Sequence, residues 1–299
     1  MHAGSIIDAT DDRPATAPDA DQLRTHVHAM WGAVAPAWAE HAEYIDARHA
    51  RAAQQMLDAT APGPGDRVLE LACGPGGLGL AAAERVAGGG EVVMSDVAAQ
   101  MTDIAARRAA ARGIANVSTA VIDLERIDQP SGSFDVVLCR EGLMFATDPA
   151  AAVREAHRVL RAGGRVAFSV WGPRAGNPWM SLIFAAVSAQ LGRPVPPPGI
   201  PGPFALEDRA TLGRLLRDAG LADVAVEDVD VPMRVGSFEE WWARTTALAG
   251  PLATILARVP QPAVEALQAQ LRAAAEPYGT AAGGLEFPGV ALLATGRRA

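Results

Sequence analysis

An apolar run from Val68 to Leu71 carries one acid, Glu70, and breaks at Ala72-Cys73-Gly74-Pro75-Gly76-Gly77 into a glycine-rich turn ahead of an alanine-rich segment. Glycine at 74, 76 and 77 lets the backbone turn tightly and brings a ligand against main-chain N–H groups. Roughly twenty residues beyond the glycines, a second apolar stretch ends in Ser95-Asp96, an acid placed to accept hydrogen bonds from a ribose diol. A glycine turn followed by such an acid fits an adenosine-containing cofactor. Positioning them takes a parallel sheet: Val68, Leu69 and Leu71 suit a buried parallel strand, and Glu91 to Met94 a second one.

Two other phosphate-binding patterns fit less well. Gly74-Pro75-Gly76-Gly77-Leu78-Gly79 can be read as Gly-x-Gly-x-x-Gly only with Leu80-Ala81 crowding the last glycine, and no Gly-Lys-Ser/Thr follows for a triphosphate. Glu70 decides further, because a carboxylate aimed at a pyrophosphate is repelled, whereas one beside a zwitterionic amino acid group is tolerated. Further strands follow in order: Asn116 to Ile122 ending in Asp123-Leu124-Glu125, then Ser133 to Gly142 with Cys139-Arg140-Glu141. A helix around His157, a glycine turn at Gly163-Gly164 and a fifth strand to Val170 complete the series.

In this order the residues resemble the class I S-adenosylmethionine-dependent methyltransferases, whose first motif sets an acid ahead of Gly-x-Gly, here Glu70-Leu-Ala-Cys-Gly74-Pro-Gly76-Gly77. The resemblance implies an α/β fold: a Rossmann-like, doubly wound, mostly parallel sheet with a terminal antiparallel strand. It implies S-adenosyl-L-methionine as cofactor. Glu70, Ala72, Gly74 and Gly76 would hold its methionine part, and Asp96 both ribose hydroxyls. Val97 and Met101 would flank the adenine, Asp123 accept from its amino group, and the Leu124 main chain meet the ring edge. Cys139 and Arg140 would close the cofactor wall at the end of the fourth strand.

Trp31-Gly-Ala-Val-Ala35-Pro-Ala-Trp38 resembles the preface of the ubiquinone/menaquinone-biosynthesis type and its small-molecule relatives, which folds over the methionine end of the cofactor. An aromatic face toward a sulfonium is worth about 0.5–2 kcal/mol, depending on desolvation; helix-to-core packing of the same tryptophans is the alternative. Pro75 and the Arg140-Glu-Gly-Leu run depart from the quinone-pathway pattern, so a secondary metabolite or xenobiotic competes with a quinone as acceptor.

A sulfonium methyl is already activated, so the implied transfer is an in-line displacement that requires alignment. A general base is needed only where the acceptor must lose a proton. The candidates are His41 and Glu141, with pairing of Glu141 to Arg140 as its other role. No metal is expected: Cys139-Arg140-Glu141 and Trp171-Gly172-Pro173 offer no magnesium cage, and His26, His28 and His41 do not fall on one helix face. The run after the fourth strand lacks a base-gripping Pro-Pro-aromatic motif, which with a formal net charge of -8 argues against nucleic acid.

At 299 residues with 49% hydrophobic content and no apolar run of membrane length, the chain reads as a compact enzyme without a membrane span, expected in the cytoplasm as monomer or homodimer. Cys73 and Cys139 are too few for a disulfide framework. Residues 1–21, rich in Asp, Ala, Pro and Thr, read as a disordered tail. Residues 22–60 form a helical preface, and 61–299 the methyltransferase domain. The strand Ala222 to Arg234 is expected to pair with Val290 to Thr295. Between them, 236–284 reads as a helical lid: Ser237-Phe-Glu-Glu240 has capping-box spacing, and Trp241, Leu248, Leu252, Ile255 and Val259 share one apolar face, broken at Gly250-Pro251. With Phe145, Trp171, Trp179, Phe184 and Trp242 it suits a partly apolar or aromatic small molecule as methyl acceptor, on O, N, S or carbon. A catalytically silent S-adenosylmethionine-binding protein and an NAD(P)-dependent oxidoreductase are the alternatives; the second predicts a clean three-glycine fingerprint and leaves Glu70 and Asp123 without a role.

Overall fold

The computed structural model describes residues 20–299. Two helices open it, α1 (Ala20–Glu40) and α2 (Ala42–Thr60). The alternating half follows: β1 (Arg67–Leu71), α3 (Gly77–Arg85), β2 (Glu91–Asp96), α4 (Ala99–Ala111), β3 (Val117–Val121), β4 (Phe134–Arg140), α5 (Pro149–Val159) and β5 (Leu160–Trp171). Then come α6 (Pro178–Leu191), α7 (Arg209–Asp218), β6 (Leu221–Asp230), β7 (Met233–Val235), α8 (Phe238–Leu248), α9 (Gly250–Leu256), α10 (Gln261–Ala275), β8 (Leu285–Phe287) and β9 (Val290–Arg298).

The main sheet has seven strands in the order β3-β2-β1-β4-β5-β9-β6. Strands β1 to β5 are parallel, and β9 runs antiparallel between β5 and β6. Val68, Leu69, Val136, Val137 and Leu138 are wholly buried because helices cover both faces of the sheet, which is why β1 and β4 read as unbroken apolar runs. From β1 the chain winds outward to β3, then returns to place β4 on the other side of β1. That reversal opens a crevice at the carboxyl ends of the two strands, where open α/β sheets bind ligands. Among the described residues no helix is long and apolar enough to cross a membrane.

Three expectations change. The tail expected through residue 21 lies outside the described residues up to 19, but Ala20 and Asp21 belong to α1, where Asp21 sits in the first turn and pairs with Arg24 at 2.7 Å. The strand expected over 222–234 stops at Asp230. Pro232 has no N–H to give a ladder, and the chain turns so that Met233–Val235 pairs with Leu285–Phe287 in a separate two-stranded sheet. Helices α8, α9 and α10 lie between the arms of that ribbon. The glycine turn expected before the fifth strand is part of β5 itself: Gly163 takes φ 75°, and the β4–β5 register shifts between Phe134 and Val136.

Candidate active site

A cavity lies at the β1/β4 crevice, walled by the strand ends on one side and by α1, α2 and α8 on the other. Its floor is the end of β1. Glu70, 2% exposed, turns Oε2 toward Gly79 of α3, and burial pushes its pKa up to about 8 against the opposing pulls of Arg140 and the Gly79 N–H. The turn that follows is held by β2: Ser95 Oγ donates to the Glu70 carbonyl at 2.8 Å and Cys73 N to the Ser95 carbonyl at 2.8 Å. Gly74 takes φ 52°, and the Trp38 ring lies 3.6 Å from the place its Cβ would occupy. Ala72 also has positive φ, at 51°, and packs on Gly142, where a Cβ would overlap it; the β1 turn and the end of β4 are thus locked together.

Asp96, at the tip of β2, is 7% exposed and accepts from Gly74 N at 2.9 Å through Oδ2 and from Ala98 N at 3.0 Å through Oδ1. Burial raises its pKa, and those backbone N–H groups work against the rise. Its side chain lines the cavity, and a carboxylate can accept further bonds beyond those two. Beyond it Val97 and Met101 line the cavity, and Met101 packs with Val34, Ala35, Ala98 and Ile104 in a small apolar cluster under Trp31 and Trp38. Trp31 meets Trp38 edge to face at 5.9 Å and Phe145 at 4.8 Å. Leu124 lines the same stretch.

At the mouth, Asp123 is already engaged. Its Oδ1 accepts from Glu125 N at 2.8 Å, and its Oδ2 stands 3.2 Å from Arg24 Nε and 3.8 Å from His28 Nε2. Arg24 Nη2 also donates to Glu125 at 2.6 Å, and the Thr147 hydroxyl donates to the same carboxylate. The far lobe is built by Tyr44, Arg48 and His49 of α2, by Arg140 and Glu141, and by Trp171 and Trp179. Glu141 takes φ 51°, accepts from Ser169 Oγ at 2.8 Å and lies 3.3 Å from Arg140 Nε. Burial raises its pKa, with Arg140 opposing.

Of the residues singled out from sequence, Gly76, Cys139, His41 and Trp242 do not line this cavity; Trp242 packs on the core instead. Gly76 has φ 83°, and a Cβ there would stand 2.9 Å from Ala105 Cβ and Met94 Sδ; its role is close packing of the turn on α4. Cys139 is buried in the sheet with its pKa pushed up to about 12. His41 sits at the joint between α1 and α2 and makes no capping bond through its side chain. Arg24, Arg48 and His49 also line the cavity and carry no motif in the sequence. The available signal was the spacing of Ile45, His49, Ala52 and Met56, which puts a histidine on the buried stripe of α2.

Residues 68–164 match the family described as Methyltransferase domain. The methyltransferase-domain match runs from β1 into β5 and so includes the glycine turn, Asp96, Asp123 and the end of β4. Aklanonic acid methyltransferase DauC of Streptomyces sp. (strain C5) is 36% identical over 124 residues, 42% of this chain and 56% of that protein. Ubiquinone/menaquinone biosynthesis C-methyltransferase UbiE of Xanthomonas campestris pv. campestris is 41% identical over 103 residues, 34% of this chain and 41% of that protein. The chain spans about half the length of these curated relatives. The YcgJ protein from Bacillus subtilis shares the fold, with a TM-score of 0.56 at 18% identity over 84% of this chain and 99% of that one.

Proposed function

We propose that the chain binds S-adenosyl-L-methionine in this cavity and transfers its methyl group to a small, partly apolar or aromatic molecule. The observation that carries the reading is the pairing of two acids on one cavity wall: Asp96, held by Gly74 N and Ala98 N, and Glu70, buried at the end of β1. The first is suited to a ribose diol and the second to an ammonium group. A pyrophosphate at the glycine turn would instead place negative charge beside Glu70, which disfavours a nicotinamide dinucleotide.

When bound, the cofactor supplies an activated methyl group on a sulfonium sulfur. The protein's own residues do the rest. Gly74, free of a side chain beneath the Trp38 ring, leaves the backbone open to a methionine moiety, and Trp31, Val97, Met101 and Leu124 give apolar walls for adenine. Asp123 is held by Arg24, so a ligand amino group would share that carboxylate with a guanidinium. Arg140 and Glu141 neutralise each other at the boundary with the far lobe, and Trp171, Trp179, Met180 and Phe184 make that lobe an apolar seat for the acceptor. Helix α8 contributes Thr245 and Leu248 to the opposite wall, as a lid would.

Calorimetric titration with S-adenosylmethionine, S-adenosylhomocysteine and NAD(P)H tests the reading. Micromolar binding of the first two and none of the third is expected. Preferential binding of the nicotinamide cofactor would overturn it.

A further inference from the structure

The far lobe holds polar atoms that the protein leaves unpaired. His49 Nε2 and Arg244 Nε are buried without a hydrogen-bond partner, Tyr44 Oη and Arg48 Nε are buried with only each other's side chain near enough to hydrogen-bond, and all four side chains line the cavity. Such atoms are costly to leave unsatisfied. Their convergence on one apolar lobe is what a polar group on a ligand would relieve.

His49 is the best defined of them. It is 7% exposed, and its Nδ1 lies 2.8 Å from the Ile45 carbonyl. A carbonyl only accepts, so Nδ1 carries the hydrogen and Nε2 of the neutral ring presents a lone pair. Burial first, then the charges of Arg140 and Arg48, hold the His49 pKa well below its ordinary value, so the ring is neutral at neutral pH. Nε2 is 3.7 Å from Glu141 Oε2, beyond hydrogen-bond range, and the ring meets Trp171 edge to face at 5.6 Å. Arg48 stacks on the Trp179 ring at 3.9 Å; burial lowers its pKa to about 10, which leaves it charged, and Glu141 and Tyr44 work against the fall.

A lone pair beside a guanidinium selects among acceptor classes. A carbon acceptor without an acidic hydroxyl gives His49 no hydrogen, and an ammonium is repelled by Arg48, Arg140 being paired with Glu141. A hydroxyl fits both groups, because its hydrogen meets Nε2 and its oxygen gains from Arg48 as negative charge develops. The hydroxyl proton becomes more acidic as its oxygen bonds to the methyl carbon, so the neutral ring can take it during transfer, more readily from a phenol or enol than from an aliphatic alcohol.

Building on the methyl-transfer reading, we propose that the acceptor is a phenol or enol on an apolar frame and that His49 Nε2 receives its hydroxyl proton while Arg48 faces the oxygen. The oxygen gives an electron pair to the methyl carbon as its O–H bond breaks toward His49, and the carbon–sulfur pair stays on sulfur. Sulfonium, neutral hydroxyl and neutral imidazole become thioether, methyl ether and imidazolium, with charge conserved.

The test has two stages. S-adenosylhomocysteine is first titrated into the wild-type protein; failure to bind sinks the methyl-transfer reading itself. With that ligand bound, 4-nitrophenol is titrated below its own pKa and followed by the absorbance that separates phenol from phenolate. Saturable binding with a perturbed phenol absorbance is expected, weakened about tenfold or more in His49→Phe and in Arg48→Met, while S-adenosylhomocysteine affinity stays within about twofold. No saturable binding by the wild type, or equal binding by both variants, overturns the inference alone. Nitrogen NMR of wild-type His49 decides independently of any variant's folding: an unprotonated Nε2 is expected, and an Nε2–H tautomer overturns it.

Discussion

Trp38 Nε1 donates to the Leu248 carbonyl at 3.0 Å, so one ring of α1 covers Gly74 and also fastens the last turn of α8. Carbonyls in a final helical turn have no partner within the helix, and Trp38 supplies one. Trp38→Phe keeps the aromatic cover and removes only the donor. A stability loss of about 1 kcal/mol is expected, with faster amide exchange concentrated in α8 and α9. Exchange rates there equal to wild type would show that the bond does not hold the helix.

Glu70 makes the ligand-free protein sensitive to pH. Its folded pKa is about 8 against an ordinary 4.5, so the folded state keeps a proton that the unfolded chain loses first. The contribution to stability is complete below the unfolded value and is lost as pH rises to the folded one. The melting temperature of the ligand-free wild type should therefore fall between about pH 5 and pH 8 more steeply than that of Glu70→Gln. A ligand ammonium beside Glu70 would favour the carboxylate, so cofactor binding near neutral pH should release protons, read by calorimetry in buffers of different ionisation enthalpy. Equal proton release by Glu70→Gln would assign the linkage elsewhere.

The parts of this site legible in the sequence are the local ones. Val68 to Gly77 announces strand, acid and turn within one stretch, and Asp96 and Asp123 are recognisable because each ends an apolar run. Gly76 shows the limit: a glycine at positive φ serves ligand approach and close packing equally, and only Ala105 and Met94, supplied by α4 and β2, decide for packing. His49 is harder, because its meaning comes from Glu141 and Trp171, brought to it by β4 and β5. The Arg24 bridge to Asp123 and Glu125 likewise joins segments about a hundred residues apart, which no spacing rule reaches. Pro232 is visible in the sequence as a ladder breaker, but the apolar alternation on either side of it continues across the break into β7.

Gly77 and Asp46 form a steric pair. A Cβ on Gly77 would overlap the Asp46 carboxylate, which is held in place by Arg108 at 2.5 Å, and Arg108 also donates to the Pro75 carbonyl at 2.8 Å. Gly77→Ala would push α2 away from the glycine turn, at an expected cost of about 1–3 kcal/mol in urea unfolding. Adding Asp46→Ala removes the overlap, so the double variant should lose less than the two single losses summed. Strict additivity would mean that the two residues do not meet in solution.

Asp96 separates turn geometry from ligand contact. In Asp96→Ala the Gly74 and Ala98 N–H groups lose their shared acceptor, and the proposed ribose contact goes with it. Hydrogen bonds to a charged group are worth about 1.5–3 kcal/mol, so S-adenosylhomocysteine affinity should fall roughly ten- to a hundredfold. Asp96→Asn is nearly isosteric but turns one amide nitrogen toward a backbone N–H, donor against donor, so it should restore little of the loss. Asp96→Glu keeps the charge and lengthens the arm; it should recover part of the affinity, because a charged acceptor still faces the Gly74 and Ala98 N–H groups. Calorimetry on the three variants orders them Glu above Asn and Ala. An Asp96→Ala protein that binds as tightly as wild type would show that the ribose lies elsewhere along the cavity.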